Sequence, residues 1–195
     1  MQKNKRIMTT KTMVYCALLA ALSVVLARLF SIMPEESARF SIESVPIFIA
    51  GMLFGPVAGG MVGFAADFVG CMFSPFGYNP IFCIPPILYG VCAGLLRRFI
   101  AGGIAAKTPR SYLFFGLRLA LSLLIPVVCG SVLFQSLTLA LVYPKGSFSF
   151  SYLYFLTTRG AQFAIVYVLD LIVIYLLFTS GLFRRLGVWP PLKKS

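Results

Sequence analysis

The 17 Lys and Arg residues of this chain are spread so unevenly that they fix how it can fold. Twelve fall in three acid-free segments: the N-terminus (Lys3, Lys5, Arg6, Lys11), a central loop (Arg97, Arg98, Lys107, Arg110) and the C-terminus (Arg184, Arg185, Lys193, Lys194). Long apolar stretches separate the three. Basic loops stay on the cytoplasmic face of a membrane, so the three segments share that face and an even number of crossings joins each to the next. The opposite loops hold only Arg39 and Lys145 as cations, beside Glu35, Glu36 and Glu43. Arg28, Arg118 and Arg159 fall at or inside apolar segments, where a charge is costly and usually has a task.

Composition bounds the class. The chain has 195 residues, 59% of them hydrophobic and 11% charged, with a mean hydropathy of +0.94. Those values describe an integral membrane protein and not a soluble domain with a buried core. There is room for about six spans of roughly 20 residues and little else, so residues 1–195 read as a single membrane domain of multi-pass type, placed in the cell membrane. The first apolar stretch is long for a signal core and no small-residue cleavage site follows it, which makes it a retained first helix. The net charge of +12 flanks spans instead of forming a patch, so topology and anionic membrane lipid account for it, and nucleic acid is not an expected partner. The five cysteines, Cys16, Cys71, Cys83, Cys92 and Cys129, lack metal-site spacing and sit in apolar context. Histidine is absent, which removes the commonest general base and metal ligand.

The expected fold class is all-α, a six-transmembrane-helix bundle with both termini cytoplasmic. Span one covers 12–32, followed by a polar, acidic outer segment over 34–44. The apolar run 45–73 is interrupted by Gly55-Pro56, where proline after glycine ends or turns a helix. It reads as a helical hairpin, or as a re-entrant loop because each arm is brief. Span four covers 81–96 and opens on Pro85-Pro86; span five covers 113–142, kinked at Pro126; span six covers 152–178. Small residues four apart let helices approach closely in a membrane. Gly51 and Gly55, Gly59 and Gly63, and Gly90 and Gly94 fit packing inside the bundle, whereas Ala17 and Ala21 in span one can form a flat face for a partner membrane protein.

No nucleotide-binding glycine loop, zinc-protease motif, paired-acid motif or serine–histidine pair is present, so the chain reads as a non-enzyme with no cofactor and no metal site. A polar set does remain at membrane depth: Arg28, Asp67, Arg118, Gln135, Arg159, Gln162 and Asp170. Arg118 and Asp170 are expected to neutralise each other near the cytoplasmic side. Arg28, Asp67 and Arg159 fall in the outer half, near a mouth formed by Arg39, Tyr78, Asn79 and the loop 143–151. Arginine forks bind carboxylates bidentately, amides and aspartate can pair with the edge of a heterocycle, and aromatics can stack on its face. The pattern points to an outward pocket for an anionic, aromatic small molecule. The plainer alternatives are interfacial snorkelling for Arg28 and Arg159, a hydrogen bond locking the hairpin for Asp67, and an ordinary turn at Tyr78 and Asn79.

Three stretches carry a resemblance to a known family. RFSIESVPIFIAGMLFGPVAGGMVGFAADFVG (39–70), YNPIFCIPPILYG (78–90) and ALLAALSVVLARLFSI (17–32) resemble the first half of S components of energy-coupling factor (ECF) vitamin transporters, and most of all the folate-specific ones. Pro85-Pro86 departs from the family's pattern, and beyond Arg110 the match is general. The resemblance implies a six-helix subunit that binds a vitamin from outside and works with a shared transmembrane coupling subunit and two ATPase subunits. Ala17 and Ala21 match the family's coupling motif. For folate, chemistry makes Arg28, Arg39 and Arg159 candidates for the carboxylates, Asp67, Asn79, Gln135 and Gln162 for the pterin edge, and Phe76 and Tyr78 for stacking. The competing readings are an S component for another vitamin, a small membrane enzyme, and an assembly subunit.

Overall fold

The computed structural model describes residues 9–29, 32–35, 38–73, 79–102, 109–144, 146–181 and 183. Phe76 and Tyr78 lie outside the described residues, as does the side chain of Arg39. The elements are α1 (Thr10–Leu29), a short antiparallel pair β1 (Ile32–Glu35) and β2 (Ala38–Phe40), α2 (Ser44–Phe54), α3 (Pro56–Met72), a 3₁₀ turn Pro80–Cys83 leading into α4 (Ile84–Ala101), α5 (Pro109–Pro126), a π segment Val127–Phe134, α6 (Gln135–Val142) and α7 (Phe148–Thr179). Among the described residues, the regular structure is helical apart from one small hairpin. Among the described residues, four helical stretches are long and apolar enough to cross a membrane: Thr10–Arg28, Pro80–Ala101, Ser111–Val142 and Phe148–Thr179.

Proline and glycine set the boundaries. Gly55 has φ 104° and ψ 178°, a conformation that costs glycine nothing and other residues a good deal. Its amide closes the last turn of α2 on the Gly51 carbonyl at 2.9 Å, and Pro56 then opens α3 at a position where no amide hydrogen is needed. Pro85 and Pro86 sit in the first turn of α4 for the same reason, so the diproline starts the helix instead of breaking it. Pro126 ends α5, and the π segment begins at the next residue. The missing amide and the ring clash disturb the regular ladder there, and α5, the π segment and α6 continue as one helical rod.

The apolar run 45–73 divides unequally. α2 has 11 residues, about 16 Å at 1.5 Å per residue, roughly half the hydrocarbon thickness. Every residue from Val45 to Leu53 is buried. A helix apolar on all sides belongs inside a protein, and α2 is the centre of the core, packed on α3, α4, α1 and α7. Phe48, Met52, Phe115, Leu119, Leu123 and Ile174 complete that core.

Glycine makes the close approach of α2, α3 and α4 possible. A Cβ at Gly59 would overlap the Gly90 carbonyl, one at Gly90 would overlap the Gly59 backbone, and one at Gly94 would overlap Pro56. A Cβ at Gly51 would meet the Gly90 carbonyl, and one at Gly63 the Pro86 carbonyl. The glycine pairs noted in the sequence are thus used inside the bundle. Ala17 and Ala21 are exposed on α1, beside Val14, Leu18 and Val25, and only 17% of that span is buried.

Candidate binding site

Two groups of polar side chains link the helices, one half-buried and one in the interior. The first lies where α3 ends. Arg28, at the end of α1, donates from Nη2 to the Gly70 carbonyl, which also accepts from the Phe73 amide at 3.1 Å where α3 ends. One turn earlier on α3, the Asp67 carboxylate accepts from the Cys83 thiol at 2.7 Å and lies 3.9 Å from Cys71 Sγ. Asn79 Oδ1 accepts from the Ile81 amide at 3.1 Å and caps the 3₁₀ turn that carries Cys83. Arg28, Asp67 and Asn79 therefore hold α1, α3 and the entry to α4 together. Asn79 thus has the turn geometry expected of it, whereas Asp67 bonds to the entry of α4 and not across the α2–α3 hairpin.

The second group runs along α7. Its buried residues are Ser151, Phe155, Arg159, Gln162, Val166, Asp170, Ile174 and Phe178, a stripe that advances by three or four residues at each step, as one helix face must. Arg159 is 9% exposed, Gln162 2% and Asp170 0%. The Arg159 guanidinium stands 6.0 Å from the centre of the Phe163 ring, within the range of a cation–π contact. Arg159 and Asp170 are eleven positions apart, about 16 Å along the helix. The stripe thus presents a cation, an amide and a carboxyl group in line.

The far end of that line is built from three further elements. Ser44, the first residue of α2, donates to Asp170 Oδ2. Ser131 in the π segment donates to the Tyr89 hydroxyl of α4 at 3.3 Å. Asp170 and Glu43 both lie within electrostatic range of Tyr89. The Glu43 carbonyl in turn accepts from Ser23 of α1 at 2.7 Å. Gln135 is half-buried at the junction of the π segment and α6, and β2 packs on α7. A π segment is a recurrent device for re-aiming side chains at functional sites, and here it brings Ser131 to Tyr89.

The expected pairing of Arg118 with Asp170 is not formed. Arg118 donates to the Phe99 carbonyl at 3.2 Å and lies 5.2 Å from the Phe99 ring centre. It serves the C-terminal end of α4, where carbonyls lack helical partners and a cation is favoured. Asp170 points to α2 instead. Spacing along α7 carried that information, because 159, 162 and 170 share a face. Ser44, Tyr89 and Ser131 were not picked out from the sequence, since a lone hydroxyl in an apolar run has no signal until its neighbours are known. A separate surface groove of about 460 Å³, lined by Pro56, Val57, Gly60, Met61, Phe64, Ala65 and Val91, is apolar throughout and includes none of these groups.

The comparisons with known proteins agree with this architecture. The crystal structure of FolT bound with folic acid superposes with a TM-score of 0.69 at 24% identity, covering 88% of this chain and 95% of that one. ThiT from Listeria monocytogenes superposes with a TM-score of 0.67 at 16% identity, covering 88% and 94%. These likenesses establish the fold. In sequence, the folate transporter FolT of Clostridium novyi (strain NT) is 34% identical over 84 residues, 40% of this chain and 48% of that protein; the chain spans about half the length of the curated relative it matches. The family model for the S component of ECF-type riboflavin transporters matches residues 7–179. This chain therefore belongs to that family, a family of membrane transport components and not of enzymes.

Proposed function

We propose that this protein is the substrate-capturing subunit of an ECF-type transporter and that its vitamin is folate or a close derivative. The observation that carries the reading is the buried α7 stripe, in which Arg159, Gln162 and Asp170 stand in line at membrane depth. A buried guanidinium matches a carboxylate tail, and an amide and a carboxyl group farther along suit the edge of a polar heterocycle. Arg28 and Arg39 join Arg159 as candidates for the tail, Asp67, Asn79, Gln135 and Gln162 remain candidates for the pterin edge, and Phe76 and Tyr78 for stacking. The partial sequence identity to a folate transporter supports the same vitamin. Riboflavin is the second reading, favoured by the description of the family.

In this reading the chain lies in the cell membrane with both termini in the cytoplasm. It has six apolar segments: α1, α2, α3, α4, the α5–α6 rod and α7. The three basic segments face the cytoplasm and anionic lipid, and the α7 stripe opens outward. Transport needs a coupling subunit and two ATPase subunits, because the chain has no nucleotide-binding loop of its own. The exposed Ala17 and Ala21 face of α1 is the surface that meets the coupling subunit, since small side chains admit a partner helix closely.

Uptake of radiolabelled folic acid into cells that also produce an ECF coupling module tests this reading. Uptake above that of cells lacking this chain is expected, and uptake of riboflavin in its place overturns the choice of vitamin. Ala21→Trp is expected to reduce uptake and co-purification of the module by roughly tenfold or more, because a bulky side chain prevents close helix approach. Ligand affinity in detergent should stay within about threefold of the parent protein, since the substituted face lies away from the interior.

A further inference from the structure

From the surroundings of Asp170 we infer that this residue determines specificity within the site by recognising a 2-amino-4-oxo-pyrimidine edge, as found on a pterin, and rejecting a uracil-type edge. The inference rests on the folate reading above and assigns to Asp170 the readout of the ring edge. Asp170 is 0% exposed. Ser44 donates to Oδ2, while Oδ1 is buried with no hydrogen-bond partner among the described residues. A carboxylate at that depth is costly unless donors reach it, and each of its oxygens can accept more than one hydrogen bond. Glu43, whose charge reaches Asp170, is acidic as well, so these surroundings favour a ligand that brings donors.

Ring chemistry then decides between the two vitamins. A 2-amino-4-oxo-pyrimidine presents its exocyclic amino group and its ring N–H side by side, two parallel donors that fit the two oxygens of one carboxylate. A uracil-type edge, as on an isoalloxazine, presents carbonyl, N–H and carbonyl, so acceptor oxygens face the carboxylate and are repelled. Arg159, about 16 Å away on the same stripe, takes the opposite, anionic end. The order of charges along α7 thus fixes which way round an elongated ligand sits.

The test uses the purified full chain in detergent and two probes with the same tail: folic acid, and the analogue in which oxygen replaces the 2-amino group. The parent protein is expected to prefer folic acid by roughly 10- to 100-fold, the range for hydrogen bonds to a charged group. Asp170→Asn, which turns one acceptor into a donor, is expected to narrow that preference to within about threefold. Equal binding of both probes by the parent protein, or an unchanged preference in Asp170→Asn, overturns the role of Asp170 while leaving the folate reading in place. Binding of neither probe overturns the folate reading itself. If Asp170→Asn does not give a cooperative melt, Ser44→Ala decides. It keeps the carboxylate and removes its anchoring donor, so a reduced preference supports the inference and an unchanged one overturns it.

Discussion

Arg159→Ala is expected to weaken folic acid binding by roughly 100-fold or more, the scale seen when one partner of a buried charge pair is removed. Arg159 is nine-tenths buried on the α7 stripe, and its guanidinium is held beside Phe163. Two parallel N–H donors from such a fork reach both oxygens of a carboxylate, which an ammonium cannot do. Arg159→Lys should therefore recover only part of the loss, about a tenth of the parent affinity. Calorimetric titration of both variants measures this. Thermal melts of both variants separate a lost ligand contact from a lost fold. Equal affinities for parent and alanine variant would move the carboxylate site to Arg28 or Arg39.

Gly90→Val is expected to have the largest effect on folding, about 3 kcal/mol, the upper end for overpacking, and sufficient to abolish the monodisperse protein in detergent. At Gly90 an added side chain would overlap the backbone of Gly59, and backbone cannot move aside as the end of a flexible side chain can. The same argument applies at Gly59, whose Cβ would overlap the Gly90 carbonyl. Gly160 on α7 is the internal control, because nothing lies within 4 Å of a Cβ built there. Gly160→Ala should leave stability unchanged or raise it by up to about 1 kcal/mol through helix propensity. Thermal melts followed by size-exclusion chromatography separate the two outcomes. Tolerance of valine at Gly90 would mean that α3 and α4 are not packed as described.

Much of this architecture was legible because its causes are local. Gly55 followed by Pro56 marks a helix end and a helix start wherever it occurs, and the structure breaks the chain there. Pro126 likewise announced a disturbance in the fifth apolar segment, and the π segment begins at the next residue. Glycines four apart signalled close packing, which α2, α3 and α4 display. What depends on distant neighbours was less visible. The β1–β2 pair (Ile32 with Phe40, Glu35 with Ala38) occupies a segment read as a polar loop, since two short strands carry too few residues for an alternating pattern. The assignment of Asp170 to Arg118 followed from balancing charges along the sequence. It missed that Asp170 shares a helix face with Arg159 while Arg118 serves the end of α4. Tyr89 and Ser131 became site residues only once the π segment placed them together.

Equilibrium titration of the purified protein with folic acid, with riboflavin and thiamine as competitors, tests the central claim most directly. The account predicts saturable one-to-one binding of folic acid that neither competitor displaces at comparable concentration. Displacement of folic acid by riboflavin, or binding of riboflavin alone, would contradict it.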